Sequence, residues 1–292
     1  MKVLIVGGTG LVGGHAAIHL QQQGHDVSIM ARSAPTAAGL QEIPFIAGNY
    51  IEDNMADGRL EGFDALVFAA AQDVRHMPMD GSETPDAFFQ RVNDQAVPSF
   101  FEAAKAAGIR RAVYIGSFYP QIAPEQIDKS PYVHSRHITD EAVRALSCAE
   151  FNVCSVNAPF ILGHLPGLDI PHIAGLVAYV SGHLPDLPLF APKGGTNHIS
   201  ARSVAQAIEG ALERGQSAKA YLIGDTNMSW KEYLEAWAQA AGAPTVLEIR
   251  DDDHPILPNV IMFAGAGALV SYEPDRAETE LLGYSRNQIA DE

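Results

Sequence analysis

The sequence predicts an α/β protein: an open parallel sheet, doubly wound by helices on both faces, followed by a smaller and discontinuous lobe. Three observations carry that prediction. Short apolar runs with the texture of buried strands alternate with stretches of helical pattern through the first half of the chain. A glycine-rich turn separates the first such run from the first helical stretch. Beyond Asn157 the alternation yields to chain punctuated by Pro159, Pro166, Pro171, Pro185, Pro188 and Pro192, where long regular elements are not expected.

Each element follows from local chemistry. Lys2 to Val6 is a short apolar run closed by glycines, which suits a strand covered on both faces. Val12, Ala16, Ile18, Leu20 and Gln21 to Gln23 suit a helix that Gly24 stops. His25 to Ala31 reads as a second strand, and Phe45 to Ala47 and Ala65 to Ala71 as two more. The last is smooth with alanine, as in a strand that a ligand or helix approaches closely. Phe88, Val92, Ala96 and Phe100 recur every four residues and predict a helix from Pro85 to Gly108. Ala112 to Gly116 resumes the strands, Tyr132 to Leu146 is helical, and Phe151 to Val156 is the next strand. Regular pattern returns at Ser203 to Arg214 (helix), Ala220 to Ile223 (strand) and Trp230 to Ala241 (helix). The organisation expected is a dinucleotide-binding domain over residues 1–162 and 191–225, with a substrate-binding lobe from 163–190 and 226–292.

Composition narrows the function. The 292 residues include 35 Asp and Glu against 19 Lys and Arg, a formal charge of −16. Such a surface repels nucleic acid and anionic membrane, so neither is an expected partner. Apolar residues make up 47% of the chain, ample for a core. The longest apolar run, Val260 to Val270, falls far short of the roughly 20 residues that span a bilayer, and the opening run is too short for a signal peptide. Cys148 and Cys154 show neither zinc-site nor disulfide spacing, which points to a reducing, cytoplasmic setting and to two packed thiols. Asp251-Asp252-Asp253-His254 reads as a solvated charged turn, and no metal is expected.

The chemistry begins at Val6-Gly7-Gly8-Thr9-Gly10-Leu11-Val12-Gly13, where Gly7, Gly10 and Gly13 are three residues apart. One glycine permits a tight turn, one lets amides approach a pyrophosphate, and one lets helix and strand pack closely. Thr9, Leu11 and Val12 complete the turn and the helix N-terminus, whose partial positive charge favours an anion. The second strand ends in Met30-Ala31-Arg32-Ser33. A carboxylate there would favour NAD through the ribose hydroxyls; Arg32, with Ser33 beside it, instead suits a 2′-phosphate. NADP is the expected cofactor, with NAD as the other option.

These residues together resemble the extended short-chain dehydrogenase/reductase superfamily of NAD(P)-dependent epimerases and dehydratases, built on a Rossmann-type sheet. Gly7, Gly10 and Gly13 match its glycine motif, Asp64 to Ala71 its fourth-strand motif, and Asn93 an asparagine of its fourth helix. Ala112 to Ser117 resembles the strand carrying its catalytic serine, and Asn157-Ala158-Pro159-Phe160 its Arg-Pro strand end. Asn197 to Ala205 resembles a later turn into a helix, and Tyr272 to Tyr284 the usual ending.

The resemblance implies catalysis by Ser117 and Tyr132, with Arg136 where the family's YxxxK pattern has lysine. Four residues on a helix put Tyr132 and Arg136 on one face, so a cation still lies beside the phenol, although arginine passes no proton onward. It also implies cofactor contacts from Ala69, Ala70, Ala71, Asn93, Pro159 and Phe160, and from Asn49 toward the adenine amine. Tyr119 is a reserve proton donor; His134 and His137 point elsewhere on the helix. Phe118, Ile161 and His164 are the candidate substrate contacts, and their largely apolar company suits a small hydrophobic or aromatic carbonyl or alcohol. A nucleotide-sugar epimerase or dehydratase, and a catalytically weak NADP-binding sensor, are the alternatives. Relatives often dimerise through two long helices, here 85–108 and 132–146, so a homodimer is the implied assembly.

Overall fold

A computed structural model describes residues 1–78 and 80–291. In chain order the first half holds β1 (Lys2–Val6), α1 (Leu11–Gln22), β2 (Asp26–Ala31), β3 (Phe45–Ala47), β4 (Ala65–Phe68), α2 (Pro85–Phe89), α3 (Ala96–Ala106), β5 (Arg111–Ser117), α4 (Tyr119–Ile122), α5 (Pro131–Ala145) and β6 (Asn152–Ala158). The second half holds β7 (Phe160–Leu162), α6 (Pro171–Val180), β8 (Ala191–Pro192), β9 (Gly195–Ser200), α7 (Ala201–Arg214), β10 (Ala220–Leu222), β11 (Thr226–Ser229), α8 (Trp230–Ala240), β12 (Ile249–Arg250), β13 (Leu269–Val270) and α9 (Arg276–Leu282).

Seven parallel strands form the main sheet in the order β10-β6-β5-β4-β1-β2-β3. Period-2 alternation divides its core into two layers. Val3, Ile5, Val27, Val67 and Val113 face α1 and α7 through Ala16, Leu20, Val204 and Ile208. Leu4, Leu66, Phe68 and Tyr114 face α3 and α5 through Phe100, Phe101, Ala104 and Val143. With helices on both faces, strand C-terminal ends form the open edge where such sheets take ligands.

Residues 191–225 divide between two bodies. α7 and β10 belong to the main sheet and its core, whereas β9 centres a second, four-stranded sheet with β7, β11 and β13. The lobe core gathers Leu176, Tyr179, Trp230, Tyr233 and Leu234. Its helix α6 arises inside the proline-rich stretch because Pro171 occupies the first turn, where a missing N–H costs nothing.

Four expectations are corrected. β4 stops at Phe68, where the Ala69 amide reaches back to the Val6 carbonyl, so Ala69 to Ala71 are loop. The helix foreseen over 85–108 is interrupted by a π-helical turn at Gln90–Gln95. Cys148 is exposed while Cys154 is buried, since Cys148 sits in the turn before β6. Beside the exposed Asp251 to Asp253, His254 is buried, donating from Nε2 to the Phe190 carbonyl and accepting the Ile256 and Leu257 amides at Nδ1. No helix among the described residues is long and apolar enough to cross a membrane.

His198, buried in β9 and stacked on Tyr233, gives the fold an acid sensitivity. Burial pulls its pKa down to about 4 from the ordinary 6.5. The unfolded chain binds this proton first, so the contribution is whole above pH 6.5 and drains away as pH falls toward 4. His198 alone removes on the order of 3 kcal/mol across that interval. Urea unfolding at pH 7 and 4.5 checks this: His198→Gln is expected to flatten the pH slope, and an unchanged slope refutes it.

Candidate active site

The turn after β1 is shaped by what a side chain would meet. Gly7 has φ +78°, and a Cβ there would lie 2.7 Å from the Ala70 nitrogen. A Cβ on Gly13 would lie 2.3 Å from the Gly7 carbonyl oxygen. At Gly10 the nearest protein atom is 3.5 Å away, an ordinary contact, so the protein itself does not demand glycine there. No side chain caps α1 and no acidic residue occupies its first turn, which leaves its leading amides for an anion.

Beyond this turn lies a cleft of about 300 Å³ lined by Gly7, Thr9, Gly10, Arg32, Ser33, Asn49, Tyr50, Ala69 to Ala71 and Gln72 among others. No carboxylate lines it among the described residues, and Arg32 is exposed without an ion-pair partner there. Leu11, Val12 and Gly13 stand at the helix start just behind it. Asn49 lines the cleft, but its amide is spent on its own turn. Its Oδ1 accepts from the Ile51 amide at 3.1 Å and its Nδ2 donates to Glu52 at 2.9 Å. Its backbone is engaged in the same turn, the amide donating to Asp53 at 3.0 Å and the carbonyl accepting from the Glu52 and Asp53 amides.

The ends of β5, β4 and β1 are sheet neighbours, so Ser117 lies about 10 Å along the open edge from the glycine turn. Ser130 caps α5 through the Val133 amide and Pro131 starts it, which sets Tyr132 on its first turn beside Ser117. Burial pushes the Tyr132 phenol above its ordinary pKa; Arg136, Arg75 and the Ser117 hydroxyl pull the other way. The proton therefore stays on the phenol at neutral pH. One turn on, Arg136 is 4% exposed, donates from Nη2 to the Ile115 carbonyl at 2.7 Å and lies over the Tyr114 ring. Burial opposes its charge, but Tyr114, Tyr132 and Asp140 outweigh that and hold its pKa above the ordinary value.

Sequence reasoning missed much of what surrounds Tyr132. Phe263 stacks on its ring at 4.2 Å and 24°, and Phe89 meets it edge-on at 5.7 Å. Asp73 takes one edge of the Arg75 guanidinium, Nε and Nη2, on its carboxylate, with His76 Nδ1 3.4 Å from Oδ1; burial opposes its ionisation, but these partners hold the carboxyl well below its usual range. Arg75 also reaches His172 of α6 at 3.3 Å, bridging main sheet and lobe. Asn93, in the π-helical turn and buried, donates to the Gln72 carbonyl at 3.2 Å, so it steadies the cleft wall while its own Oδ1 has no partner. Gln72 and Tyr50, whose phenol burial pushes up to about 12, are further unforeseen lining residues.

The remaining expected contacts divide between this site and the lobe. Tyr119 and Phe118 are buried in an aromatic cluster with Phe263, where burial raises the Tyr119 phenol pKa. Tyr119 offers its amide to Ser117 Oγ at 3.4 Å, and its phenol lies close enough to Tyr132 to interact with it electrostatically. Pro159 is buried at the bend from β6 to β7. Phe160 turns into the lobe core against Trp230 and His198, and Ile161 toward the opposite core. His164 is exposed beside α1, its carbonyl meeting His15 Nε2 at 3.1 Å, away from Tyr132. His134 is exposed and His137 pairs with Glu141, as their helical phase requires.

A parallel sheet with an uncapped glycine turn and an anion-ready cleft at its open edge defines a nucleotide-binding α/β protein. Residues 3–224 match the model of the NAD dependent epimerase/dehydratase family, and the chain belongs to that family of NAD(P)-dependent enzymes. It is similar to a putative dihydroflavonol 4-reductase of Synechocystis sp., 24% identical over 262 residues that make up 82% of this chain and 72% of that protein. Photosystem II assembly factor Ycf39 of Synechocystis sp. is 26% identical over 143 residues, 48% of this chain, which spans 40% of that relative's length. Among solved structures, UDP-glucose-4-epimerase from Stenotrophomonas maltophila, with bound NAD and formylated UDP-arabinopyranose, superposes with a TM-score of 0.76 at 18% identity, covering 99% of this chain and 94% of that one. At that identity the likeness establishes a shared fold.

Proposed function

We propose that the chain is an NADP(H)-dependent oxidoreductase interconverting a carbonyl and an alcohol on a small, apolar or aromatic substrate. The observation that carries this reading is Tyr132 flanked by Ser117 and Arg136 and roofed by Phe263, next to a cleft that no carboxylate lines among the described residues. The amides of the Gly7 to Gly13 turn would hold the pyrophosphate, and Arg32 with Ser33 the 2′-phosphate. A bound nicotinamide dinucleotide supplies hydride transfer. In the reductive direction, Ser117 donates a hydrogen bond to the substrate oxygen and Tyr132 gives it the proton. Arg136 stabilises the phenolate left behind and, always charged, does not itself relay a proton. Phe263 and Phe89 exclude water from the phenol and favour a flat apolar substrate.

A nucleotide-sugar substrate is less well supported, because its diphosphate needs cations. Every Lys and Arg of the lobe segments 163–190 and 226–292 already has a carboxylate: Lys231 with Glu235, Arg250 with Glu248, Arg276 with Glu280 and Arg286 with Glu273.

The test combines activity with cofactor choice. Purified chain is expected to oxidise NADPH in the presence of aromatic aldehydes or ketones. Arg32→Ala is expected to weaken NADPH binding about tenfold or more while barely changing NADH, the loss of one charge-assisted contact. Equal weakening of both removes the 2′-phosphate assignment. NADPH binding without turnover across aromatic and aliphatic carbonyls removes the enzymatic one.

A further inference from the structure

On the face of the sheet away from Tyr132, side chains from three segments converge. His19 lies in the last turn of α1, His25 follows Gly24 at the entry to β2, and Glu209 and Glu213 stand one turn apart on α7. One ligating atom each of His25, Glu209 and Glu213 all lie within 4.8 Å of one another. Behind them, His19 Nε2 meets Glu209 Oε2 at 2.7 Å. His25 turns its Nδ1 to the Met1 amine at 3.3 Å, which leaves Nε2 for another partner.

We propose that His25, Glu209 and Glu213 bind a first-row divalent transition metal ion, zinc foremost, with His19 orienting Glu209. Imidazole nitrogen and carboxylate oxygen are the donor set such ions take, and two carboxylates balance a 2+ charge. Ligands of a tetrahedral zinc lie about 3.4 Å apart, so closure draws the three atoms together by about an ångström; the exposed Glu213, paired through one oxygen with Arg214 at 2.6 Å, has a second oxygen to offer. His19 donates to one oxygen of Glu209 and frees the other, the outer-shell bond that ligating carboxylates require. The C-terminal end of α1 adds partial negative charge nearby. The ion staples the end of α1 to α7, while the glycine turn occupies the other end of α1.

Tag-free full-length chain, stripped by chelator and titrated with zinc alone, is expected to show one site of micromolar or tighter affinity. Cobalt substitution is expected to give visible d–d absorption, and zinc at about 100 times Kd to raise the unfolding midpoint by roughly 5 °C. His25→Ala and Glu213→Gln should each weaken zinc at least tenfold, and His19→Ala less. His134→Ala, on the exposed face of α5, should leave binding unchanged. The single Glu213→Gln change touches an exposed side chain, so it tests the site without endangering the fold. Absence of a site tighter than about 10 µM, or zinc binding by the His25 and Glu213 variants equal to wild type, overturns the proposal.

Discussion

Tyr132→Phe is expected to lower kcat/KM for carbonyl reduction by about 10²- to 10⁴-fold, the range of a positioned general acid. The substitution keeps the ring, so the stack on Phe263 and the edge contact with Phe89 survive and the fold is undisturbed. What disappears is the hydroxyl that burial holds in its protonated form beside Ser117 and Arg136. NADPH affinity, read by fluorescence titration, should stay within about twofold, and the loss should fall on kcat. A variant with unchanged kcat and a raised KM would demote Tyr132 to a binding group.

Gly13→Ala is expected to damage fold and cofactor binding together. The added Cβ would lie 2.3 Å from the Gly7 carbonyl oxygen and 2.8 Å from its carbon, and neither backbone atom can step aside as a side chain would. Overpacking of this kind costs about 1–3 kcal/mol. Thermal unfolding should report that loss, and nucleotide titration a collapse in affinity as the turn distorts. Gly10→Ala supplies the contrast: its Cβ meets nothing closer than 3.5 Å, so stability should hold while nucleotide affinity falls. If Gly10→Ala leaves binding intact, the turn is a connector and not an anion cradle.

The residues legible in the sequence are those whose geometry is local. β1, its glycine turn and α1 follow one another without interruption, and helical spacing alone puts Tyr132 and Arg136 on one face. That Arg32 lines the cleft was readable because it directly follows β2 at the strand's C-terminal end. Phe263 was not: it lies in irregular chain between β12 and β13, and nothing near it in sequence says that it folds back onto α5. The packing of Phe160 and Ile161 was hidden for a different reason. They are adjacent on β7, so they point to opposite sides and each is drawn into a separate core. His164 fell outside the site because the chain after β7 runs along α1 instead of staying at the strand ends. Asp73 and Arg75 depend on a short capped turn after β4 whose partner, His172, comes from the other body of the molecule.

The π-helical turn at Gln90–Gln95 makes the spacing between two aromatic sets intolerant of insertion and deletion. Such a turn accommodates one residue more than an α-helix, and each residue sweeps about 100° around the axis. Upstream, Phe89 is thereby phased to meet Tyr132; downstream, Phe100 and Phe101 are phased to meet Phe68 in the sheet. A relative one residue shorter here would rewind into unbroken α-helix and keep its seat on the sheet. Its counterpart of Phe89 would swing away from the phenol, and the wall on that side would open to solvent.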